Sequence, residues 1–362
     1  MRKVKFSIML FSGALENSAA AEYRRAIELA QIADREGFSG FWLPERHYSH
    51  FGAPYPKPLL LLAALAGKTK HLALRAGSVV APLHDPLAMA EELSVLDNLS
   101  DGRVEVAFAS GWHPNDFACS PDTYLDRRKI TLSRACNVLQ LWAGEDIERQ
   151  NGLGDYVPIS TFPRPRRVRL PVWLTAAGST GTYEEAGRHG FDVLTHVLGG
   201  DVKALEGNIA SYRRARADAG FDPQGGRVAL MLHTFLAKEM AEAIQIASRP
   251  FVNYLKSIAP LGQGLVDARS YKLRLDELTP DQLDRFANLQ FDRLSNGRAL
   301  IGTPESVLGT IESMSNIGVS EIACLVDFGI EGKIVVDHFS QLIELKRIVD
   351  GTNENIGGQY AN

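Results

Sequence analysis

The strongest constraint on this chain is an alternation. Short, continuously apolar runs are each followed by a helical pattern, about eight times in succession. Strands are read at Val4–Phe11, Phe41–Pro44, Leu72–Val80, Val104–Ala109, Val172–Ala176, Val193–Val197, Val228–Leu236 and Ile322–Val326. Helices are read at Ala20–Glu36, Pro58–Lys68, Pro86 to about Leu99, Arg127–Trp142, Tyr183–Arg188, Val202–Ala219, Ala241–Lys256, Pro304–Asn316 and Gly332–Val349. Pro58 and Pro86 occupy first helical positions, where a missing N–H costs nothing. Strands that are apolar on both faces belong to a covered parallel sheet, and eight such units close a (β/α)8 barrel. A doubly wound open sheet is the alternative. It typically uses fewer units and a Gly-rich first turn, and the chain has neither a GxGxxG fingerprint nor a Walker loop. The expected fold class is therefore α/β, a TIM barrel, with residues 1–362 as one domain. Residues 145–170 and 257–298 fit the alternation poorly and are read as insertions at the C-terminal face, the second as a lid.

Composition narrows the function. A length of 362 residues suits a single barrel, and 45% hydrophobic with 23% charged residues is the balance of a globular enzyme. A net charge of −4 gives no pull toward nucleic acid or an anionic membrane. The longest apolar run, Leu59–Ala66, is too short to span a bilayer. The N-terminal segment reads as a buried first strand, because Glu16 and Asn17 directly follow its short apolar core. Cys119, Cys136 and Cys324 have no paired spacing, which points to a reducing compartment and a cytoplasmic location.

In a (β/α)8 barrel the chemistry sits at the C-terminal strand ends. Those ends carry Ser12, Glu45-Arg46-His47, Ser78, His84, Ser110-Gly111-Trp112-His113, Gly178-Ser179, Thr195-His196 and His233-Thr234. Five of the nine histidines thus fall on one face. A single buried histidine more often satisfies a backbone carbonyl, but five together mark a site. The first strand lacks the His-x-His of barrel metallohydrolases, so no metal is expected. There is no GxSxG elbow. Thr175-Ala-Ala-Gly-Ser-Thr-Gly-Thr182 joins an apolar strand to a helix. Its exposed N–H groups and the Ser179 and Thr182 hydroxyls suit a phosphate, with ordinary helix capping as the alternative. The absence of a lysine there favours a cofactor monophosphate over nucleotide hydrolysis.

The stretch FWLPERHYSHFGAPYPKP, followed by LALRAGSVVAPLHDPLAMAEELSVLDNLSDGRVEVAFASGWHPNDF, resembles the bacterial luciferase-like flavin monooxygenases. Within them it is most similar to the subgroup tied to natural-product assembly. PVWLTAAGSTGTYEEAGRHGFDVLTHVLGG and LIGTPESV continue the resemblance in order, which covers roughly residues 1–256 and 299–349. It implies a luciferase-like barrel, FMN reduced by a separate reductase, O2 as co-substrate and attack by a C4a-peroxyflavin. It also implies a homodimer built on Pro58–Lys68 and Pro86–Leu99. Gly77 and Ser78 match a non-proline cis peptide beneath the flavin. Ser110, Gly111 and Trp112 match the fourth-strand flavin contacts, although luciferases carry an arginine where Ser110 stands. Gly178, Ser179 and Thr182 match the phosphate positions.

The second strand departs from the family pattern. Luciferases place the catalytic histidine directly after the glutamate, whereas here Glu45 is followed by Arg46 and then His47. His47 as acid–base, or Arg46 as an electrostatic holder of substrate or peroxide, takes that role beside Glu45, the alternative being an Arg46–Glu45 network that merely braces the loop. Trp42, His113 and His196 are read as lining the substrate pocket. Arg164, Arg166, Arg167 and Arg169 form a basic patch suited to an acidic carrier protein, or else a solvated loop. The leading function is a two-component monooxygenase acting on a secondary-metabolite intermediate, carrier-bound or free. An F420-dependent hydride-transfer enzyme and a non-catalytic flavin-binding protein are the alternatives.

Overall fold

A computed structural model describes residues 4–11, 18–50, 52–197, 201–258 and 278–357. Eight parallel strands close a barrel in the order β1 (Lys5–Met9), β2 (Gly40–Leu43), β3 (Ala73–Val80), β4 (Val104–Ala109), β7 (Val172–Ala176), β8 (Asp192–His196), β9 (Val228–Leu236) and β11 (Glu321–Leu325), with β11 returning to β1. This is the (β/α)8 architecture that the alternation predicts. The helices α1 (Ala19–Arg35), α2 (Pro58–Ala66), α3 (Pro86–Leu99), α4 (Arg127–Ala143), α5 (Thr180–Arg188), α6 (Val202–Asp218), α7 (Met240–Ile258), α9 (Leu308–Asn316) and α10 (Gly332–Gly357) accompany the strands. Local chemistry starts them. Ser18 accepts from the Ala21 N–H to cap α1, and Asp85 accepts from Leu87 at 2.8 Å to cap α3.

The strands are less uniformly apolar than the alternation implies. Their outward residues, such as Phe6, Ile8, Leu74, Val104, Val106, Leu230 and Ile322, pack beneath the helices in the main core. Their inward residues form a second core of Met9, Trp42, Ala107, Trp173, Leu194, Ala229, Met231, Ala323 and Leu325. Beneath it the barrel base is ionic. Arg75, 2% exposed, donates to Glu105 at 2.9 Å and also to Glu321. Its guanidinium stacks over Trp42 and Trp173, at 4.6 and 5.2 Å. Arg227 bridges Glu105 at 3.2 Å and Asp192 at 2.7 Å, and the Trp173 indole donates to Glu105 at 2.8 Å.

This base makes the fold acid-sensitive. Burial pushes the Glu105 carboxyl up, but the Arg75 and Arg227 charges and the Trp173 N–H outweigh it and hold it at about 2. A carboxylate held below its ordinary value stabilises the fold above that value and loses the stabilisation as it protonates. Unfolding midpoints in urea are therefore expected to hold from neutrality to about 4.5 and to fall steeply toward about 2, by a few kcal/mol in total. A midpoint that stays flat across this range contradicts the assignment.

The two irregular stretches have structures of their own. Within residues 145–170, β5 (Ile147–Gln150) and β6 (Tyr156–Ile159) form an antiparallel hairpin. Arg164 donates to the Leu141 and Trp142 carbonyls at 2.9 and 2.6 Å, closing the C-terminus of α4. Arg164 is thus spent internally, whereas Arg166 and Arg169 of the same basic stretch stay exposed. Of the stretch read as a lid, residues 259–277 lie outside the described residues. The rest contains α8 (Pro280–Ser295), opened by a capping box between Thr279 and Gln282 and packed on α7 through Phe251 and Phe291, 5.6 Å apart. A short strand, β10 (Leu300–Gly302), adds to β9.

Candidate active site

The second strand ends at Leu43, and Pro44 leads into Glu45 at the barrel mouth. The Glu45 side chain is fully buried and accepts three hydrogen bonds: from the Val80 N–H at 2.7 Å, from His84 Nε2 at 2.6 Å and from His47 Nε2 at 2.8 Å. Burial pushes its carboxyl up, but the His47 and His84 hydrogen bonds and the nearby His84 charge overcome this and hold it at about 2. An ionised carboxylate only accepts, so both imidazoles donate from Nε2. A neutral His47 ring then carries its lone pair on Nδ1, the arrangement of a base oriented by a carboxylate.

Arg46 takes the opposite side of the same loop. It is 4% exposed, donates to Asp116 Oδ2 at 3.0 Å and lies 4.8 Å over the Trp112 ring. Burial pushes the Asp116 carboxyl above its ordinary value against the pull of Arg46. Asp116 Oδ1 has no hydrogen-bond partner. The structure therefore brings Glu45, Arg46, His47 and Trp112 into one constellation. It draws in His84, expected only as one of the strand-end histidines, and adds Asp116, which no spacing in the sequence singles out.

The expected cofactor positions line the next strand ends. The Gly77–Ser78 peptide is cis, as the resemblance implies. A Cβ on Gly77 would meet the Trp42 ring at 2.3 Å, so only glycine fits there. This contact corrects the placement of Trp42. It is 0% exposed, donates to Ser7 at 2.9 Å and packs edge-on to Trp173 at 5.1 Å, as the floor under Gly77 and not a wall of a substrate pocket. Ser78 Oγ lies 2.6 Å from the hydroxyl of Thr175, a residue that in sequence merely opens the phosphate turn. Gly111 has φ +72°, and a Cβ there would strike Phe117 and Val80 at 2.8 Å. Ser110 makes only a long 3.5 Å contact to the Gly111 carbonyl.

At β7 the chain turns through Gly178, φ +98°, with open space around it, into α5. Ser179 is the N-cap, yet its hydroxyl makes no capping hydrogen bond, and the first helical turn holds no acidic residue. Thr180 is held by Asn208 at 2.7 Å, and the Thr182 N–H returns to the Ser179 carbonyl at 3.0 Å. An exposed helix start with an uncommitted hydroxyl fits a phosphate. His113 Nδ1, His196 Nδ1 and His233 Nε2 are buried at the strand ends without partners, which fits a polar ligand above the barrel. Among the described residues no His, Cys, Asp and Glu side chains group as a metal site, and no helix is long and apolar enough to cross a membrane.

Comparisons with known proteins agree with this geometry. The luciferase-like monooxygenase family matches residues 4–321. The flavin-dependent trigonelline monooxygenase, oxygenase component, of Acinetobacter baylyi is 27% identical over 85% of this chain and 84% of its own. The 4-hydroxyprotoasukamycin monooxygenase of Streptomyces nodosus subsp. asukaensis is 27% identical over 60% of each chain. Among solved structures, monooxygenase RslO1 of Streptomyces bottropensis has a TM-score of 0.75 at 25% identity, covering 94% of this chain and 98% of its own. The chain belongs to the luciferase-like monooxygenase family, and is an enzyme of the flavin-dependent monooxygenase kind.

Proposed function

We propose that this chain is the oxygenase component of a two-component system, taking reduced FMN from a separate flavin reductase and O2 as co-substrate. The observation that carries the reading is the exposed turn at Gly178–Gly181, where the Ser179 hydroxyl makes no capping bond, on the same barrel face as the Glu45 cluster. The name of the A. baylyi relative, an oxygenase component, supports a partner reductase. The S. nodosus relative supports a secondary-metabolite substrate. The substrate is taken either free or carrier-bound, the exposed Arg166 and Arg169 being the part of the basic stretch open to an acidic carrier. A second copy of the chain docks across α2 and α3, where Leu60 and Leu99 are exposed. All three cysteines are unpaired, in keeping with a cytoplasmic setting.

In this mechanism Gly178, Ser179 and Thr182 would hold the phosphate of FMN, and Gly77, Ser78, Ser110, Gly111 and Trp112 would hold the rest of the cofactor. Bound reduced flavin supplies two electrons to O2, so that one oxygen atom enters the substrate and the other leaves as water. The protein does the rest. His47, oriented by Glu45, moves a proton at Nδ1, while Arg46 presents a fixed positive charge toward developing negative oxygen. Trp112 and Phe117 help keep water away from the mouth.

Replacing Ser179 with aspartate tests the phosphate site. Aspartate is a favoured N-cap, so α5 survives, but its charge opposes a phosphate. The unmodified protein is expected to bind FMN more tightly than riboflavin, and Ser179→Asp to erode that preference by about tenfold or more. Equal binding of FMN and riboflavin by the unmodified protein contradicts the reading, and no FMN binding at all favours F420 in its place.

A further inference from the structure

His196 closes β8, and His233 lies on β9, where it pairs with Leu325 of β11. The register sets His196 against Met231, two residues before His233 and on the same inward face. Along their strands His196 follows Leu194 and His233 follows Met231 on the inward face toward the mouth, with Leu325 beside His233, so the surroundings are apolar. His233 is 3% exposed and boxed by Phe251, Tyr254 and Phe328, with ring centroids at 4.6, 4.9 and 5.4 Å. In this setting His233 Nε2 and His196 Nδ1 are both shielded from solvent and both lack a partner.

Packing alone does not account for that arrangement. A buried polar atom without a partner costs about 1–3 kcal/mol, and a phenylalanine or leucine would fill the same space without it. Burial lowers the His196 ring to about 4, and burial together with the His196 charge lowers His233 to about 3. Both rings are thus neutral at any working pH, each with one N–H donor and one lone pair. Such a pair suits an uncharged oxygen in an apolar molecule and offers a carboxylate no counter-charge.

We propose that His196 and His233 form an uncharged polar clasp that receives a carbonyl or hydroxyl oxygen of the organic substrate and fixes which end of it meets the oxygenation site. The proposal rests on the monooxygenase reading and names its substrate class: an apolar molecule bearing a neutral oxygen function.

The test uses FMN-loaded protein carrying 15N-histidine and four monosubstituted benzenes as probes: acetophenone, benzyl alcohol, toluene and benzoate. Acetophenone and benzyl alcohol are expected to shift the His196 and His233 nitrogen resonances and to bind about tenfold or more tighter than toluene, with benzoate no better than toluene. In His196→Phe and His233→Leu that advantage should shrink below about threefold, with toluene and FMN affinities kept. The resonance shifts in the unmodified protein need no variant, so a variant that misfolds leaves the test intact. Toluene binding as well as acetophenone, benzoate binding best, shifts confined to other histidines, or no binding by any probe overturns the clasp. Loss of FMN binding in the same samples would instead count against the flavin reading, and the probe titration is repeated without FMN to separate the two.

Discussion

Arg75→Leu is expected to lower the unfolding free energy by about 3–5 kcal/mol, because it strands a buried carboxylate at the base of the barrel. Arg75 lies there between Glu105 and Glu321, almost wholly out of water. Glu105 keeps Arg227 as a second partner, so the loss falls mainly on Glu321, which would remain buried beside apolar neighbours. Removing one partner of such a pair leaves an uncompensated charge, whereas removing both often costs little. The double variant Arg75→Leu with Glu321→Leu should therefore recover a large part of the loss. Urea unfolding at neutral pH reads both. A loss below about 1 kcal/mol for the single variant would show that solvent reaches the base of the barrel.

The second large effect concerns chemistry. His47→Ala should slow product formation by about 10²–10⁴-fold, the usual contribution of a positioned acid–base group. Arg46→Ala should act in the same direction by removing the cation beside Asp116 and Trp112. In both variants FMN affinity should change by less than about threefold, because the phosphate turn on α5 is untouched. Single-turnover product yield and flavin titration separate the two quantities. Both variants retaining unmodified product formation would remove Glu45, Arg46 and His47 from the catalytic account.

Much of the architecture is legible in the sequence because barrel strands are buried on both sides. Runs such as Leu72–Val80 and Val228–Leu236 carry enough apolar residues to stand out, and the cappers Asp85 and Pro86 mark where α3 begins. What the pattern conceals is the inward face. Arg75 and Glu105 are single charges inside otherwise apolar strand runs and Glu321 stands just before one, so an apolar count passes over them and only barrel closure brings the three together. The hairpin at Ile147–Ile159 escapes notice because its strands are short and paired only with each other, the first polar and the second carrying a proline. Helix α8 does leave a signal: Thr279, Pro280 and Gln282 form a capping-box start that the mixed composition around it obscures.

The site is legible in the same uneven way. Glu45, Arg46 and His47 are adjacent in sequence, so their grouping requires only that β2 end where it does. Asp116, His84 and Thr175 reach the mouth from other strand ends, and only closure of the barrel brings them there. Trp42 shows the converse. An aromatic residue next to a catalytic loop reads as a pocket wall, yet the pleat turns its ring into the barrel interior, where Ser7 and Trp173 hold it.

The most direct test of the flavin monooxygenase reading is rapid mixing of the protein, loaded anaerobically with reduced FMN, against oxygenated buffer. Oxidised FMN is expected to reappear about tenfold or more slowly than from free reduced FMN, behind a near-ultraviolet absorbance that decays as it returns. Oxidised FMN returning at the rate of the free cofactor would contradict a water-shielded oxygenation site at the mouth of this barrel.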